Sequence, residues 1–372
     1  MNTRIAVAFA ALCAAPLAAQ APAAAPTGFV LRIGRDTFSV ERFSRSGDKV
    51  EGQCLTRSPG TMLFDYAVQL NADGSAKRFQ TRLGGNQVTV EFAADSATIT
   101  TSAAATDSGA PTLEPTVRRV PAAAALPNLG GCWAFMELAT RRFVTSGAPE
   151  VQQTMLGARA DSANLLPLAR VSMDSVTITP FPAVTYRVQV DAQGRVLGAR
   201  WPGEWRLSRV GAPDMAALAT AWADRPLGPL SPADSVSGMV GTASIRVNYA
   251  RPAARGRSIF GGVVPWNAVW RTGANEATVI ETSADLVIGG TAVPAGKYSL
   301  WTIPAPGAWT LIINRNTGQW GTDYDAQYDL VKIPMRVSAL TTPVERLTIA
   351  VEGSNLAVSW DRTKASVALA QK

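Results

Sequence analysis

The sequence predicts a mainly β protein made of two antiparallel units, and three observations support this fold class. Short runs in which apolar and polar residues alternate follow one another through most of the chain. Turn sequences such as Asn71-Ala-Asp-Gly74 separate these runs at the spacing of β-hairpins. The chain has 372 residues, 47% hydrophobic and 17% charged, so it is long enough for two domains and apolar enough to fold them.

The first 21 residues have the three parts of a secretory signal peptide. Arg4 supplies the positive start, residues 5–15 form an apolar core, and small residues precede a cleavage site near Ala21. The apolar run is too short to cross a bilayer as a helix, and no later segment is long and apolar enough. We therefore expect an exported, soluble protein without a transmembrane segment, located in the periplasm or outside the cell.

The composition excludes several classes of function. The sequence contains no histidine, which removes Ser-His-Asp relays, imidazole zinc sites and histidine acid–base catalysis. The formal net charge is +7, but the basic residues occur singly or in pairs, so we expect no nucleic-acid partner. The sequence has no phosphate loop and no metal-ligand cluster, and we predict neither a cofactor nor a metal ion.

The first predicted domain covers residues 27–210. Closely spaced strand patterns, beginning with one from Phe29 to Val40, indicate a curved antiparallel sheet, and residues 102–130 are predicted to be a connection. A helix is predicted near residues 132–143, where apolar residues recur at helical spacing. We expect this α+β unit to pack the helix on the sheet, whose concave face is either core or a cradle for a hydrophobic ligand.

The first domain also contains a weak internal echo. Tyr66-Ala-Val-Gln-Leu-Asn-Ala-Asp-Gly74 resembles Tyr186-Arg-Val-Gln-Val-Asp-Ala-Gln-Gly194, and each segment is a predicted strand that runs into a turn. The echo is consistent with a duplicated sheet unit, and equally with one hairpin motif that arose twice.

Two cysteines, Cys54 and Cys132, remain once the signal peptide is removed. In an oxidising compartment they can form a disulfide, and closing so long a loop would stabilise the fold by about 2–4 kcal/mol. The alternative is a pair of buried free thiols, because cysteine is among the most buried residue types. The sequence is compatible with both.

A short helix and a proline-rich linker, over residues 211–235, separate the two predicted domains. Pro226, Pro229 and Pro232 make this linker stiff. Residues 236–369 then contain about eight short strand patterns separated by turn residues, which favours an antiparallel β-sandwich or jelly-roll-like domain.

Several motifs of the second domain occur in a characteristic order. They are Arg251-Pro252, Ile259-Phe-Gly-Gly262, Val269-Trp-Arg-Thr-Gly-Ala-Asn-Glu-Ala-Thr278, Val293-Pro-Ala-Gly-Lys-Tyr298 and Gln319-Trp-Gly321. In this order they closely resemble the bacterial DUF2911 family, a domain of unknown function, over about residues 236–369. The resemblance implies an exported envelope protein and transfers no catalytic activity to this chain.

The stretch from Tyr249 to Thr278 is the densest in arginine, aromatic and turn residues. The candidate ligand-binding residues are Arg251, Arg255, Arg257, Trp270, Arg271, Asn275, Glu276 and Trp320. Arginine forks suit a carboxylate or phosphate, but these arginines can equally pair with acidic residues of their own domain, including Glu276, Asp323 or Asp325. An aromatic plane beside Arg, Asn and Glu suits a polar or acidic envelope glycan or another small molecule, and also a ligand-free polar network.

The polar loop at residues 314–328 adds two weaker possibilities. Asp323 and Asp325, with Asp329 beyond them, hint at calcium, although the glycine and terminal glutamate of an EF-hand loop are missing. Glu276 and Asp323 are carboxylates of the type that form the acid–base pair of a glycosidase.

We therefore predict a non-enzymatic binding or scaffolding protein of the bacterial envelope, with a polar-aromatic ligand site in its C-terminal domain. Two alternatives come from other classes. One is a carboxylate-dependent glycan hydrolase, and the other is a purely structural envelope module in which the arginine-rich stretch holds the fold together.

Overall fold

The computed structural model describes residues 25–83, 85–103, 115–181 and 184–372. Within these ranges the chain forms 24 β-strands and two α-helices, which confirms the mainly β prediction. No described helix combines the length and the apolarity needed to cross a bilayer. The predicted signal peptide, residues 1–21, lies outside the described residues.

Fifteen strands form one continuous N-terminal sheet. In chain order they are β1 (Thr27–Ile33), β2 (Asp36–Ser46), β3 (Lys49–Thr56), β4 (Met62–Leu70), β5 (Ala76–Leu83), β6 (Asn86–Phe92), β7 (Ser96–Ala103), β8 (Thr116–Pro121), β9 (Leu126–Asn128), β10 (Glu150–Gly157), β11 (Asn164–Ser172), β12 (Ser175–Phe181), β13 (Val184–Val190), β14 (Val196–Trp201) and β15 (Trp205–Gly211). The chain starts in the middle of the sheet, proceeds strand by strand to the edge at β8, crosses to the opposite edge at β9, and returns to β15 beside β1. Neighbouring strands are antiparallel except β9 and β10, as the sequence predicts for this sheet.

Two local predictions for this sheet are wrong. The strand predicted from Phe29 to Val40 is divided by a turn at Gly34, whose φ of 56° ends β1 and reverses the chain into β2. The connection predicted over residues 102–130 contains β8 and β9, because these short segments find partners in β7 and β10. Pairing with distant strands outweighs the weak local β propensity of this Ala/Pro-rich stretch.

Helix α1 (Ala134–Ser146) packs on the N-terminal sheet and confirms the helix predicted near residues 132–143. Its side chains Phe135, Leu138 and Phe143 are buried in one core shared with strands from both halves of the sheet. The sequence left two roles open for the concave face of this sheet, core or a cradle for a hydrophobic ligand. The part that contacts α1 is core.

The buried carboxyl group of Glu41, on β2, caps the beginning of α1. It accepts hydrogen bonds from the backbone amides of Trp133 and Ala134 at 2.6 and 3.0 Å, and from the hydroxyl of Tyr66 at 2.6 Å. These amides have no partner within the helix, so a carboxyl group from the sheet satisfies them. Burial raises the pKa of Glu41 from its ordinary value of 4.5 to about 7, although the three hydrogen bonds act in the opposite direction.

A second buried glutamate, Glu137, ties the first turn of α1 to the other half of the sheet. It accepts the amide of Val196 at 3.0 Å and the guanidinium of Arg209, and it also accepts Arg141 from the next turn at 3.2 Å. Arg209 lies over the ring of Phe29, 4.6 Å from the ring centre. One carboxylate thus accepts hydrogen bonds from two arginines, so a single negative charge faces two positive charges.

Cys54 and Cys132 are free thiols in this core, so the structure contains no disulfide between them. Both are buried beside Glu41: Cys54 is its partner on the neighbouring strand, and Cys132 precedes Trp133, whose amide donates to Glu41. Burial raises the pKa of both thiols, which disfavours the thiolate that disulfide formation requires. Of the two alternatives open from the sequence, the structure has the pair of buried thiols.

Helix α2 (Met215–Trp222) packs on the opposite face of the N-terminal sheet. Met215 contacts Val40, which precedes Glu41 on β2 and therefore points away from α1. The chain that follows is also held against this face, because the guanidinium of Arg57 donates to the carbonyl of Arg225 at 2.6 and 3.0 Å. The first part of the proline-rich segment therefore contacts the sheet.

The remaining nine strands form the C-terminal sheet. They are β16 (Ala233–Val240), β17 (Ala243–Ala250), β18 (Thr278–Thr282), β19 (Leu286–Ile288), β20 (Thr291–Val293), β21 (Gly296–Ala305), β22 (Ala308–Asn314), β23 (Asp329–Glu352) and β24 (Asn355–Gln371). Their order is β16-β17-β18-β21-β22-β23-β24-β19-β20, and all neighbours are antiparallel. The long strands β23 and β24 contain register shifts, and β16 packs against β23, so the sheet folds over a core of its own.

Because of Glu41, the free energy of unfolding should depend on pH, and the raised pKa gives the direction of this dependence. Its folded pKa of about 7 exceeds the ordinary value of 4.5, so between these values the folded state holds a proton that the unfolded state releases. The free energy of unfolding should therefore fall as pH rises from about 4.5 to 7, by up to about 3 kcal/mol at 1.36 kcal/mol per pKa unit. Urea denaturation of Glu41→Gln should show a shallower slope across this window than the wild type.

The control is the exposed Glu91 on β6. Glu91→Gln removes a carboxylate without touching the helix cap, and it should keep the wild-type slope. Equal slopes for Glu41→Gln and the wild type would contradict the account of the cap.

Candidate functional site

Arg255, at the centre of the predicted arginine-rich site, joins the two sheets. The residue is buried, and its backbone is left-handed with a φ of 53°. Its carbonyl accepts the amide of Arg35 at 3.0 Å, and its guanidinium pairs with the carboxylate of Asp36 at 2.5 Å. Arg35 lies in the turn between β1 and β2, and Asp36 is the first residue of β2, so the partner of Arg255 lies in the N-terminal sheet.

Arg257 and the residue that follows it complete the same junction. The guanidinium of Arg257 donates to the carbonyl of Gly203 at 3.0 Å, and the amide of Ser258 donates to the carboxylate of Glu204 at 2.9 Å. Gly203 and Glu204 form the turn between β14 and β15. Two turns of the N-terminal sheet therefore dock against the segment that contains Arg255 and Arg257. We expected acidic partners within the same domain, such as Glu276, Asp323 or Asp325, and this expectation is wrong for both arginines.

Arg251 is also engaged within the protein. It pairs with Asp234 at 3.0 Å and donates to the carbonyl of Leu347 and the hydroxyl of Thr348, each at 3.0 Å. These contacts connect β16 and β23 across the fold of the C-terminal sheet. All three predicted arginines of this segment therefore bind protein acceptors, which supports a structural role for them.

Trp270 forms part of an aromatic cluster at the core boundary. Its ring stacks on Trp360 at 6.1 Å and meets Trp309 edge-on at 6.2 Å, and Phe260 packs against it. The indole nitrogen donates to the carbonyl of Gly273 at 3.2 Å. The ring is half-buried and closes the core, so it does not stand beside Asn275 and Glu276 as a free platform.

Arg271, Asn275, Glu276 and Trp320 do come together. Arg271 donates to the carbonyl of Asn275 at 3.2 Å, and the amide of Gly321 donates to the same carbonyl at 2.9 Å. Glu276 and Trp320 form an isolated antiparallel bridge, which places their side chains next to each other. Burial lowers the pKa of Arg271, which lies beneath this bridge, while Trp320 is 49% exposed.

A cleft of about 590 Å³ opens beside Asn275 and Glu276. Asp234 and Asn248 also line it, so carboxylate and amide groups meet at one concave surface, whereas the hydroxyl of the buried Tyr249 accepts the amide of Ile349. A cleft of this size with several convergent polar groups is suited to a small polar ligand. Sequence reasoning identified Asn275 and Glu276 but missed the other wall, because β16 and β17 carry no unusual motif there.

The polar loop after β22 is held by its own side chains. Asp329 accepts the amide group of Asn314 at 2.9 Å and the hydroxyl of Tyr324 at 2.7 Å, and Asp325 accepts the amide of Gln327 at 3.0 Å. Among the described residues, no group of three His, Cys, Asp or Glu side chains is placed to hold a metal ion. The aspartates that hinted at calcium serve as hydrogen-bond acceptors within the loop.

Comparison with known families confirms the resemblance of the C-terminal region. Residues 231–369 match the family model described as "Protein of unknown function (DUF2911)". No match was found among curated proteins.

Two solved structures are similar to the chain. One is a DUF1089 family protein from Pseudomonas aeruginosa, 15% identical, covering 54% of this chain and 98% of its own, with a TM-score of 0.31. The other is the WD40 domain of coronin from Toxoplasma gondii, 7% identical, covering 96% and 88%, with a TM-score of 0.14.

The junction can be tested with two glycines in equivalent hairpin turns. Gly34 and Gly47 have φ values of 56° and 58°, so alanine strains both backbones alike. A Cβ at Gly34 would lie 2.3 Å from the carbonyl oxygen of Arg255, whereas nothing lies within 4 Å of one at Gly47. Gly34→Ala should therefore lower the free energy of unfolding by about 1–3 kcal/mol more than Gly47→Ala. Equal losses in urea denaturation would mean that this turn does not dock on Arg255.

Proposed function

We propose that the protein is an exported, non-enzymatic binding protein whose C-terminal cleft takes a small polar ligand, such as an envelope glycan fragment. The observation that carries this proposal is the convergence of Asn248, Asn275 and Glu276 on one cleft. Amide and carboxylate groups arranged in this way can accept and donate hydrogen bonds to several hydroxyl groups at once. The secretory features of residues 1–21 support the location.

The charge of the cleft favours a neutral ligand over an acidic one. Asp234 is paired with Arg251, but Glu276 is exposed and has no ion-pair partner among the described residues. A carboxylate beside the ligand repels another carboxylate or a phosphate and accepts hydrogen bonds from sugar hydroxyls. Trp320, exposed next to Glu276, adds an apolar plane on which a sugar ring can pack.

Binding is better supported than hydrolysis of the same ligand. A glycosidase needs two carboxyl groups on opposite sides of the scissile bond. The second carboxylate of the cleft, Asp234, already accepts the guanidinium of Arg251 at 3.0 Å and the hydroxyl of Tyr249. The arginines support the structural role that the sequence left open for them, and their network reaches the cleft only at Asp234, which pairs with Arg251.

The test uses the mature full-length chain and one matched pair of variants. Glu276→Gln keeps the shape of the cleft and removes its charge, while Glu281→Gln removes an exposed carboxylate on β18 outside the cleft. Calorimetric titration with neutral disaccharides should give saturable binding. Glu276→Gln should weaken binding about tenfold or more, as expected for loss of a charge-assisted hydrogen bond, and Glu281→Gln should not.

Three results would contradict the proposal. No saturable binding by the wild type would remove the ligand site. Early melting of Glu276→Gln, with Glu281→Gln unaffected, would assign Glu276 to a structural network. Release of sugar products by the wild type, lost in Glu276→Gln, would indicate a hydrolase.

A further inference from the structure

The two segments that echo each other in the sequence end in turns of the same geometry. In the first, the amide of Gly74 donates to the carbonyl of Asn71 at 2.9 Å, and in the second the amide of Gly194 donates to the carbonyl of Asp191 at 2.9 Å. The two glycines have φ values of 78° and 71°. The turns join β4 to β5 and β13 to β14, on opposite halves of the N-terminal sheet.

Both turns contact the same part of helix α1. The hydroxyl of Thr140 donates to the carbonyl of Gly194 at 2.7 Å, and a Cβ on Gly194 would lie 2.7 Å from the Cα of Arg141. On the other side, Arg142 donates to the carbonyl of Asp73 at 3.1 Å, beside Gly74. The two similar hairpin turns thus contact consecutive residues of the helix. Between them lies a cavity of about 790 Å³, along the last two turns of α1.

Three arginines line this cavity, and they differ in how they are neutralised. Arg142 is fully engaged, with Asp73 at 3.2 Å and Gln153 at 2.6 Å. Arg141 donates to one carboxylate oxygen of Glu137, whose other oxygen accepts Arg209 of β15, and the charge of Asp191 also acts on Arg141. Arg45, on β2, donates to the carbonyl of Gly47, and no carboxylate among the described residues pairs with it.

Arg45 and Arg141 are both partly buried, and both line this cavity. Burial lowers the pKa of both guanidiniums, and the neighbouring charge of Arg141 lowers that of Arg45 further. Two like charges withdrawn from water destabilise the free protein unless an anion joins them. Buried Leu70, Leu138 and Phe143 form the apolar part of the same wall.

We propose that this cavity is a second binding site, in which Arg45 and Arg141 hold the phosphate or carboxylate group of an organic anion and the apolar wall contacts its hydrocarbon part. Arginine forks match the oxygen geometry of both groups, and 790 Å³ accommodates a small molecule. The site is independent of the C-terminal cleft. It takes an anion, whereas the cleft favours a neutral ligand.

A structural explanation of these arginines makes a different prediction. Cations near the end of a helix offset its dipole, and Arg141 and Arg142 are placed to do so. Arg45 is not on the helix, and its removal relieves repulsion. If the cavity binds an anion, Arg45→Gln loses binding without losing stability. If Arg45 only stabilises the fold, Arg45→Gln melts earlier and no anion is bound.

The experiment compares wild type, Arg45→Gln and Arg187→Gln in the mature full-length chain, by calorimetric titration and thermal shift. Arg187 is exposed on β13 and does not line the cavity, so its variant controls for the loss of one positive charge. The probes are inorganic phosphate, n-decyl phosphate and decanoate. We expect saturable binding of at least one probe, about tenfold weaker or more in Arg45→Gln and unchanged in Arg187→Gln.

The probes also identify which part of the ligand is bound. Tighter binding of n-decyl phosphate than of inorganic phosphate indicates an amphiphile, and equal binding indicates a free phosphate group. Preference for decanoate indicates a carboxylate ligand. The proposal is overturned if no probe binds saturably, or if Arg45→Gln binds as the wild type does.

Discussion

The buried guanidinium of Arg255 is the constraint on which the arrangement of the two sheets depends. A buried charge needs a partner, and the partner is Asp36, the first residue of β2. Because the carbonyl of Arg255 also accepts the amide of Arg35, the turn between β1 and β2 is fixed in position and direction. Arg257 adds the turn at Gly203. The N-terminal sheet thus meets the C-terminal sheet through two of its hairpin turns, and the arginine-rich stretch is the contact surface.

This arrangement separates the residues that hold the protein together from those left for recognition. The arginines of the junction bind acceptors within the protein, and the aromatic cluster around Trp270 fills the edge of the core. Within the part of the chain that the structure describes, Glu276 in the cleft and Arg45 in the cavity have no ion-pair partner. The charge of the cleft is negative and that of the cavity is positive, so the two proposed sites select different ligands. Helix α1, fixed at its start by Glu41 and in its first turn by Glu137, lines the cavity between the repeated turns.

Local patterns in the sequence predicted the elements but not the contacts between them. Alternation and turn residues were sufficient for the antiparallel sheets, and apolar spacing for α1. The division of the strand at Gly34 was missed because the turn there has no Asn-Gly or Asp-Gly pair to mark it. The partner of Arg255 lies 219 residues away, and no local pattern reports such a pair. The echo ending at Gly74 and Gly194 was visible, but its meaning depends on a helix that lies between the two turns in space.

A double-mutant cycle on Asp36 and Arg255 tests the central claim most directly. Asp36→Asn, Arg255→Gln and the double variant would be compared with the wild type by urea denaturation of the mature chain. Because Asp36→Asn leaves the buried guanidinium of Arg255 without its charged partner, the effects should be non-additive. We expect a coupling energy of about 1–3 kcal/mol, with the double variant hardly less stable than Arg255→Gln. Additive losses, within about 0.5 kcal/mol, would show that this ion pair does not join the two sheets.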